Sequence, residues 1–155
     1  MNWLYNEKEI TDISQFPPNT FGFVYQVITP EGKKYVGKKV LYHNQKKKLT
    51  KAELAKQTGR GRKKSYKVIQ KESDWKTYYG SHQFIKEEIK SGNQSDFERI
   101  ILQLAYSKKE LTYLENKVLF TFAVLEREEY LNDNIEGRYF KKDFDFTDGF
   151  GTFSV

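Results

Sequence analysis

Tyr25 and Tyr35 stand ten residues apart in a stretch whose residue types favour β-structure. Apolar and β-prone residues are dense over residues 21–28, Pro30-Glu31-Gly32 is a turn signal, and residues 33–40 read as a returning strand. Side chains alternate between the two faces of a strand, so residues of equal parity lie together. A hairpin that closes around Pro30-Glu31-Gly32 with an odd-length loop therefore brings both phenols out on one face. A phenol beside cations can have its pKa drawn down, which lets it act as a base. Tyrosine is also a favoured strand residue, and with eleven in the chain packing accounts for the pair equally directly.

Glu115 adds a carboxylate in an unusual setting. Ser107-Lys108-Lys109-Glu110 has the form of a capping box and opens the longest expected helix, to about residue 127. At about 100° per residue, that helix gathers Leu111, Leu114, Val118 and Phe122 into one stripe, and Glu115 falls inside it. Tyr113, Phe120 and Val124 make a second apolar side, so the helix is expected to be sandwiched in the core. A carboxylate in an apolar stripe is costly unless something compensates it. Two compensations stay open: an ion pair with one of the many lysines, or a divalent metal at the bottom of a cleft. Mg²⁺ suits the second, because it binds through few carboxylates plus waters and substrate phosphate.

The third feature is charge. Residues 46–71 hold nine lysines and two arginines against the single acid Glu53, a local balance of +10 in a chain whose net charge is +6. A mildly acidic body thus carries one cationic segment, with Lys46, Lys47, Lys48, Arg60, Arg62, Lys63 and Lys64 at its centre. Such a block is either a solvated face or a surface for nucleic acid. It does not separate an enzyme from a passive binder.

The elements that must position these groups follow the chain. Residues 1–20 carry a short helix signal and then the break Phe16-Pro17-Pro18-Asn19, and the hairpin comes next. Thr50-Lys51-Ala52-Glu53 is a capping box for a short helix over residues 51–57, and Gly59-Arg60-Gly61-Arg62-Lys63-Lys64 reads as a flexible cationic loop. Ser81 is placed to cap a helix reaching Lys90, with Gly92 at its end. Residues 97–106 form a third strand rich in Ile and Leu. Beyond Ile135 the aromatics Phe140, Phe144, Phe146, Phe150 and Phe153 are expected to drape over the body. Hairpin, helices, strand and long helix make an α+β layout with a small antiparallel sheet packed by helices.

Length and composition agree with one domain spanning residues 1–155, and an aromatic content of 16% suits a folded chain despite 31% charged residues. Absence of cysteine excludes disulfides and thiolate zinc fingers and suits a reducing cytoplasm. No apolar run approaches the roughly 20 residues of a membrane span, and the N-terminus lacks a secretory pattern.

Several segments, in order, resemble one family. Phe23-Val24-Tyr25 and Tyr35-Val36-Gly37 are similar to the paired motifs of the GIY-YIG nucleases. Lys34-Tyr35-Val36-Gly37-Lys38-Lys39, the basic insert at about 44–72, Asp74-Trp75-Lys76-Thr77-Tyr78-Tyr79-Gly80-Ser81, Phe97-Glu98-Arg99-Ile100-Ile101-Leu102, Tyr113-Leu114-Glu115 and Tyr130-Leu131-Asn132 resemble the free-standing, Seg-like GIY-YIG endonucleases of bacteriophages. That resemblance covers roughly residues 21–140.

It implies a GIY-YIG fold, with a three-stranded antiparallel sheet flanked by helices, and a Mg²⁺- or Mn²⁺-dependent DNA endonuclease without an organic cofactor. Tyr25 would lie next to the attacking water, Tyr35 would support it, and Glu115 would be the single metal-binding carboxylate. Asn132 resembles the asparagine that follows the metal helix, with Asn134 close by. The chain departs from the wider family after the second tyrosine, where Asn44-Gln45-Lys46-Lys47-Lys48 contains no arginine. The phosphate-binding role then falls to Lys39, to the lysine run, or to Arg60 or Arg62, and a lysine lacks the bidentate fork of arginine. His43 lies near the place where many members put a His or Tyr about one helical turn from that arginine, His82 stands at a helix start, and Trp75 and Tyr78 could stack on bases or pack beneath the sheet. One such site cuts one strand, so double-strand cleavage needs a homodimer on DNA or successive nicks. The competing reading is a catalytically inactive nucleic-acid-binding protein that uses residues 46–71.

Overall fold

The computed structural model describes residues 1–146 of the chain. Its main sheet has five strands, in the order β2 (Lys8–Ile10), β1 (Trp3–Tyr5), β7 (Glu98–Ala105), β3 (Gly22–Ile28) and β4 (Lys34–Val40). The expected hairpin is β3 (Gly22–Ile28) with β4 (Lys34–Val40), and the expected third strand is β7 (Glu98–Ala105), antiparallel to β3. Tyr25 pairs with Gly37 and Val27 with Tyr35, so the two tyrosines share a face, as their parity requires.

The N-terminal segment corrects the expectation of a short helix. Trp3–Tyr5 (β1) and Lys8–Ile10 (β2) form a hairpin whose turn places Asn6 and Glu7 at positive φ. β1 then adds to β7 in parallel, extending the three antiparallel strands to five. Trp3, 1% exposed, wedges against Phe23 and Tyr25, and this burial outweighs any local helical preference.

Each face of the sheet carries its own core. Trp3, Phe23, Tyr25, Trp75, Ile85 and Phe97 fill one side beneath α2 (Gln83–Lys90). Val24, Val36, Leu111, Leu119 and Val124 fill the other beneath α3 (Lys108–Thr121). Ser107 caps α3 by accepting from the Glu110 amide at 3.1 Å, as expected. The helix ends earlier than expected, at Thr121, because Ala123 turns left-handed and drops Val124 and Leu125 into the core. α3 is also not sandwiched, since Tyr113 is 65% and Phe120 58% exposed. Trp75 belongs to the core rather than to a stacking surface.

The basic insert carries two unforeseen strands, while residues 59–64 form neither helix nor strand, in keeping with the expected cationic loop. Tyr42–Lys48 (β5) and Tyr66–Glu72 (β6) pair over their full length as a separate two-stranded ribbon. Between them, Thr50 and Glu53 form the expected capping box on a short α1 (Lys51–Ala55). The foot of the ribbon is tied to the main sheet: Leu41 N–H donates to Phe21, Ser73 N–H to Leu41, and Ser73 Oγ to the Val40 carbonyl at 2.6 Å. After α3, Asn134–Ile135 (β8) and Tyr139–Phe140 (β9) make a small hairpin. Phe146 packs against the α3-side core, as the tail's aromatics were expected to, whereas Phe150 and Phe153 lie outside the described residues.

Candidate active site

The site is built on the exposed edge of the main sheet. β4 is the edge strand, and its outward backbone groups at Lys34 and Val36 would be unpaired without the chain that follows α3. Lys34 N–H donates to Glu129 and Leu131 N–H to Lys34, both at 2.7 Å. Asn132 continues the pairing with its side chain, accepting from Val36 N–H at 3.0 Å and donating to the Val36 carbonyl at 2.8 Å. Past Val36 the edge opens into a cleft of about 540 Å³ whose walls include Tyr35, Lys38, Ser81, His82, Glu115 and Asn132.

Two faces of the sheet meet in this cleft. Tyr35 comes from the tyrosine face and shares a 2.8 Å hydrogen bond with Ser81 Oγ. Arg99 of β7 steadies the approach to Ser81, for its buried guanidinium donates to the carbonyls of Lys76 and Tyr78 at 2.9 Å each. Burial pushes the Tyr35 phenol above its ordinary value of 10.0, the Ser81 hydrogen bond opposes this, and Glu115 and Asp133 reinforce it. Glu115 comes from α3 on the opposite face, with a side chain 17% exposed, and pairs with Lys38 Nζ at 2.7 Å. Lys38 also donates to Thr112 Oγ1 at 3.3 Å. Of the two compensations open to Glu115, the ion pair is thus formed.

The other expected residues are distributed more widely. Tyr25 is 1% exposed and lines neither this cleft nor the larger groove beside it. Burial, then Tyr78 and Tyr35, hold its phenol well above 10.0, opposite to the direction a resting base requires. Its hydroxyl lies over Gly37, where a Cβ would come within 2.5 Å, so the bare backbone there makes room for the phenol. Lys39 points away from the cleft: its Nζ pairs with Asp74 at 2.6 Å and sits 3.7 Å above the Tyr78 ring. His43 is exposed on β5. Lys39 and His43 both line the larger groove, of about 1210 Å³, and Lys38 lines both that groove and the cleft. His82 caps α2 by accepting from Phe84 N–H through Nδ1, and its Nε2 faces Asp133 at 3.4 Å. It takes the capping place expected of Ser81, whose hydroxyl serves Tyr35 instead. Lys46, Lys47 and Lys48 lie on the ribbon, and Arg60, Arg62, Lys63 and Lys64 in the exposed segment between α1 and β6.

Lys38 and Ser81 are the cleft residues that sequence reading missed. Strand parity held the signal for Lys38, which is even-numbered like Val36 and must therefore face α3 rather than the tyrosines.

The donor set suits a hard divalent cation of the Mg²⁺ type. Among the described residues there is no group of three or more His, Cys, Asp or Glu side chains that would cage a metal. A single half-buried carboxylate in an oxygen-rimmed cleft, with Asp133, Asn134 and Glu136 on its walls, leaves room for waters and a phosphate. Asn116, next to Glu115 on α3, donates to Glu136 at 2.5 Å while its Oδ1 is buried without a hydrogen-bond partner.

The fold agrees with the family comparison. The family described as "Putative endonuclease segE, GIY-YIG domain" has a model that matches residues 3–135, from β1 to β8. The chain belongs to the GIY-YIG endonuclease family. The match takes in the whole five-stranded sheet, the ribbon, α3 and Asn132. No curated protein and no solved structure gave a match. Among the described residues no helix is long and apolar enough to cross a membrane.

Proposed function

We propose that the protein is a metal-dependent DNA endonuclease that hydrolyses phosphodiester bonds in the cleft beside β4. The observation that carries this reading is the convergence of Glu115 and Tyr35 on one cleft from opposite faces of the sheet. Glu115 is the residue to hold Mg²⁺ or Mn²⁺, with cleft oxygens and water completing the shell. Such an ion, when bound, neutralises the scissile phosphate and lowers the pKa of water.

The chain's own groups do the remaining work. Tyr35, held by Ser81, is protonated at rest and orients the attacking water; added positive charge in the cleft lowers its pKa and lets it accept the water's proton. Tyr25 supports that hydroxyl from behind Gly37. Lys38 takes the phosphate-binding place left by the missing arginine, because Lys39 is tied to Asp74 while Lys38 reaches the cleft. Its flexible stem lets the ammonium leave Glu115 for a phosphate oxygen once a cation replaces it. Water's oxygen joins phosphorus, the opposite P–O bond breaks, and the leaving oxygen takes up a proton.

A catalytically inactive DNA-binding protein is the second reading, favoured by the Lys38–Glu115 pair, which compensates the carboxylate without a metal. Supercoiled plasmid incubated with Mg²⁺, with Mn²⁺ and with EDTA separates the two. The nuclease reading expects nicked and then linear DNA with either ion and intact plasmid in EDTA. Retarded but uncut plasmid under every condition would establish the inactive binder.

A further inference from the structure

We propose that the β5–β6 ribbon enters the major groove of duplex DNA and reads bases with one of its two faces. The proposal rests on the reading of DNA as the substrate, and it adds sequence recognition to it.

Pairing across the ribbon sorts its residues. Asn44 lies opposite Gln70, Lys46 opposite Val68, and Lys48 opposite Tyr66, so these six share one face. His43, Gln45, Lys47, Lys67, Ile69 and Lys71 form the other. The second face is backed: Lys67 is ion-paired with Glu53 of α1, and Lys67 and Ile69 are the only half-buried residues of either strand. The first face is bare, with Tyr66 52% and Val68 63% exposed. A solvated aromatic and a valine between lysines are a poor investment for a strand pair that meets only water.

Their chemistry is that of base edges. Asparagine and glutamine amides match the donor and acceptor of adenine, lysine matches the acceptors of guanine, and an apolar side chain meets the thymine methyl. A clamp on phosphates alone calls for cations throughout, whereas the centre of this face holds Asn44, Gln70 and Val68. The one acid near it, Glu72 at the foot, accepts from Trp75 Nε1 at 2.8 Å and lies 3.6 Å from Lys76. Strands about 4.8 Å apart make a ribbon narrow enough for a major groove roughly 12 Å wide. Cations at the margins, Lys47, Arg60, Arg62, Lys63 and Lys64, are then placed for the flanking phosphates. Towards the foot, Tyr42, Asn44 and Gln70 line the larger groove, and Lys38 lines both that groove and the Glu115 cleft. One duplex can therefore lie on the ribbon and reach the cleft.

The test uses the full-length Glu115→Gln chain in EDTA, so that binding is measured without cutting, and a pool of duplexes with a random central segment. An enriched sequence is expected, and Asn44→Ala with Gln70→Ala is expected to reduce its preference over the pool by roughly tenfold to a hundredfold. Because both residues are neutral, the salt dependence of binding stays unchanged. Lys47→Ala, on the backed face, is expected to weaken all duplexes alike. Val68→Ser gives an independent arm: uracil in place of thymine in the selected site weakens wild-type binding and leaves this variant indifferent. A pool without enrichment, an unaltered preference in the double variant, or tighter binding of single strands overturns the proposal. Plasmid cutting without sequence enrichment would sink the ribbon reading alone. Enrichment without any cutting by the wild type would sink the nuclease reading alone.

Discussion

Asn132 satisfies both outward backbone groups of Val36, donating to its carbonyl and accepting from its amide, and so stands in for a neighbouring strand at the edge of the sheet. With 5% exposure and both ends of its amide bonded to Val36, it is a positioning residue that fixes where the cleft begins. Asn132→Ala leaves two backbone groups unpaired, each costing about 1–3 kcal/mol where buried. We expect a lower melting temperature together with slower cleavage. Melting and cutting both at wild-type levels would show that water replaces the amide without loss.

Glu115→Gln keeps the size of the side chain and removes its charge. Turnover is expected to fall by at least about a hundredfold, in line with the loss of a major electrostatic contributor to a transition state. DNA retention measured by gel shift is expected to persist. Wild-type cutting by this variant, or by the wild type in excess EDTA, would end the metal assignment.

The tyrosine hydroxyls can be removed one at a time. Resemblance gives the attacking water to Tyr25, but Tyr35 is the one that lines the cleft and bonds Ser81. Tyr35→Phe is therefore expected to lower the single-turnover rate by roughly a hundredfold or more, the lower range for general acid–base groups. Tyr25→Phe is expected to lose less. The reverse order would return the water to Tyr25, and wild-type rates in both would reduce the pair to packing.

Alkaline pH tests the burial of Tyr25. Its folded value is raised above the ordinary 10.0, so the folded state holds the proton longer than the unfolded chain. The resulting stability is fully present below pH 10 and is lost as pH rises toward the folded value. Melting temperature is expected to drop steeply above pH 10, and Tyr25→Phe to soften that drop. An identical alkaline profile in the variant would contradict the environment described for this phenol.

Arg60 and Arg62 report on the cationic segment. Replacing both with Ala is expected to make the slope of log affinity against log salt shallower by up to about two, one counterion per phosphate contact. Cleavage at saturating enzyme is expected to survive, since neither arginine lines the cleft. An unchanged slope would remove this stretch from the DNA.

Much of the fold was legible because its elements announce themselves by period and caps. Residues 21–28 are densely apolar and β-prone before a turn signal, Ser107 and Thr50 sit at true capping boxes or caps, and residues 98–105 form a dense apolar run. The β1–β2 hairpin was hidden because three-residue strands carry no readable period and its turn uses Asn6-Glu7 instead of glycine. The ribbon was hidden for the opposite reason. Tyr42–Lys48 is polar on both faces, so no alternation marks it as a strand. Within the site, Glu115 was visible as a misplaced carboxylate, whereas its partner Lys38 was one of many lysines until pairing with Val24 fixed its face.

The fastening of the ribbon at Leu41 and Ser73 has a mechanical meaning. Hydrogen bonds from both strands' ends to Phe21 and Val40 keep the arm from swivelling about a single hinge. If bases are read at one end of a stiff arm and a bond is cut at the other, the arm is a ruler. The break then falls a constant number of base pairs from the recognised sequence, whatever the intervening bases are. Lengthening β5 and β6 by two residues each would move the cut along the duplex and leave the chemistry untouched.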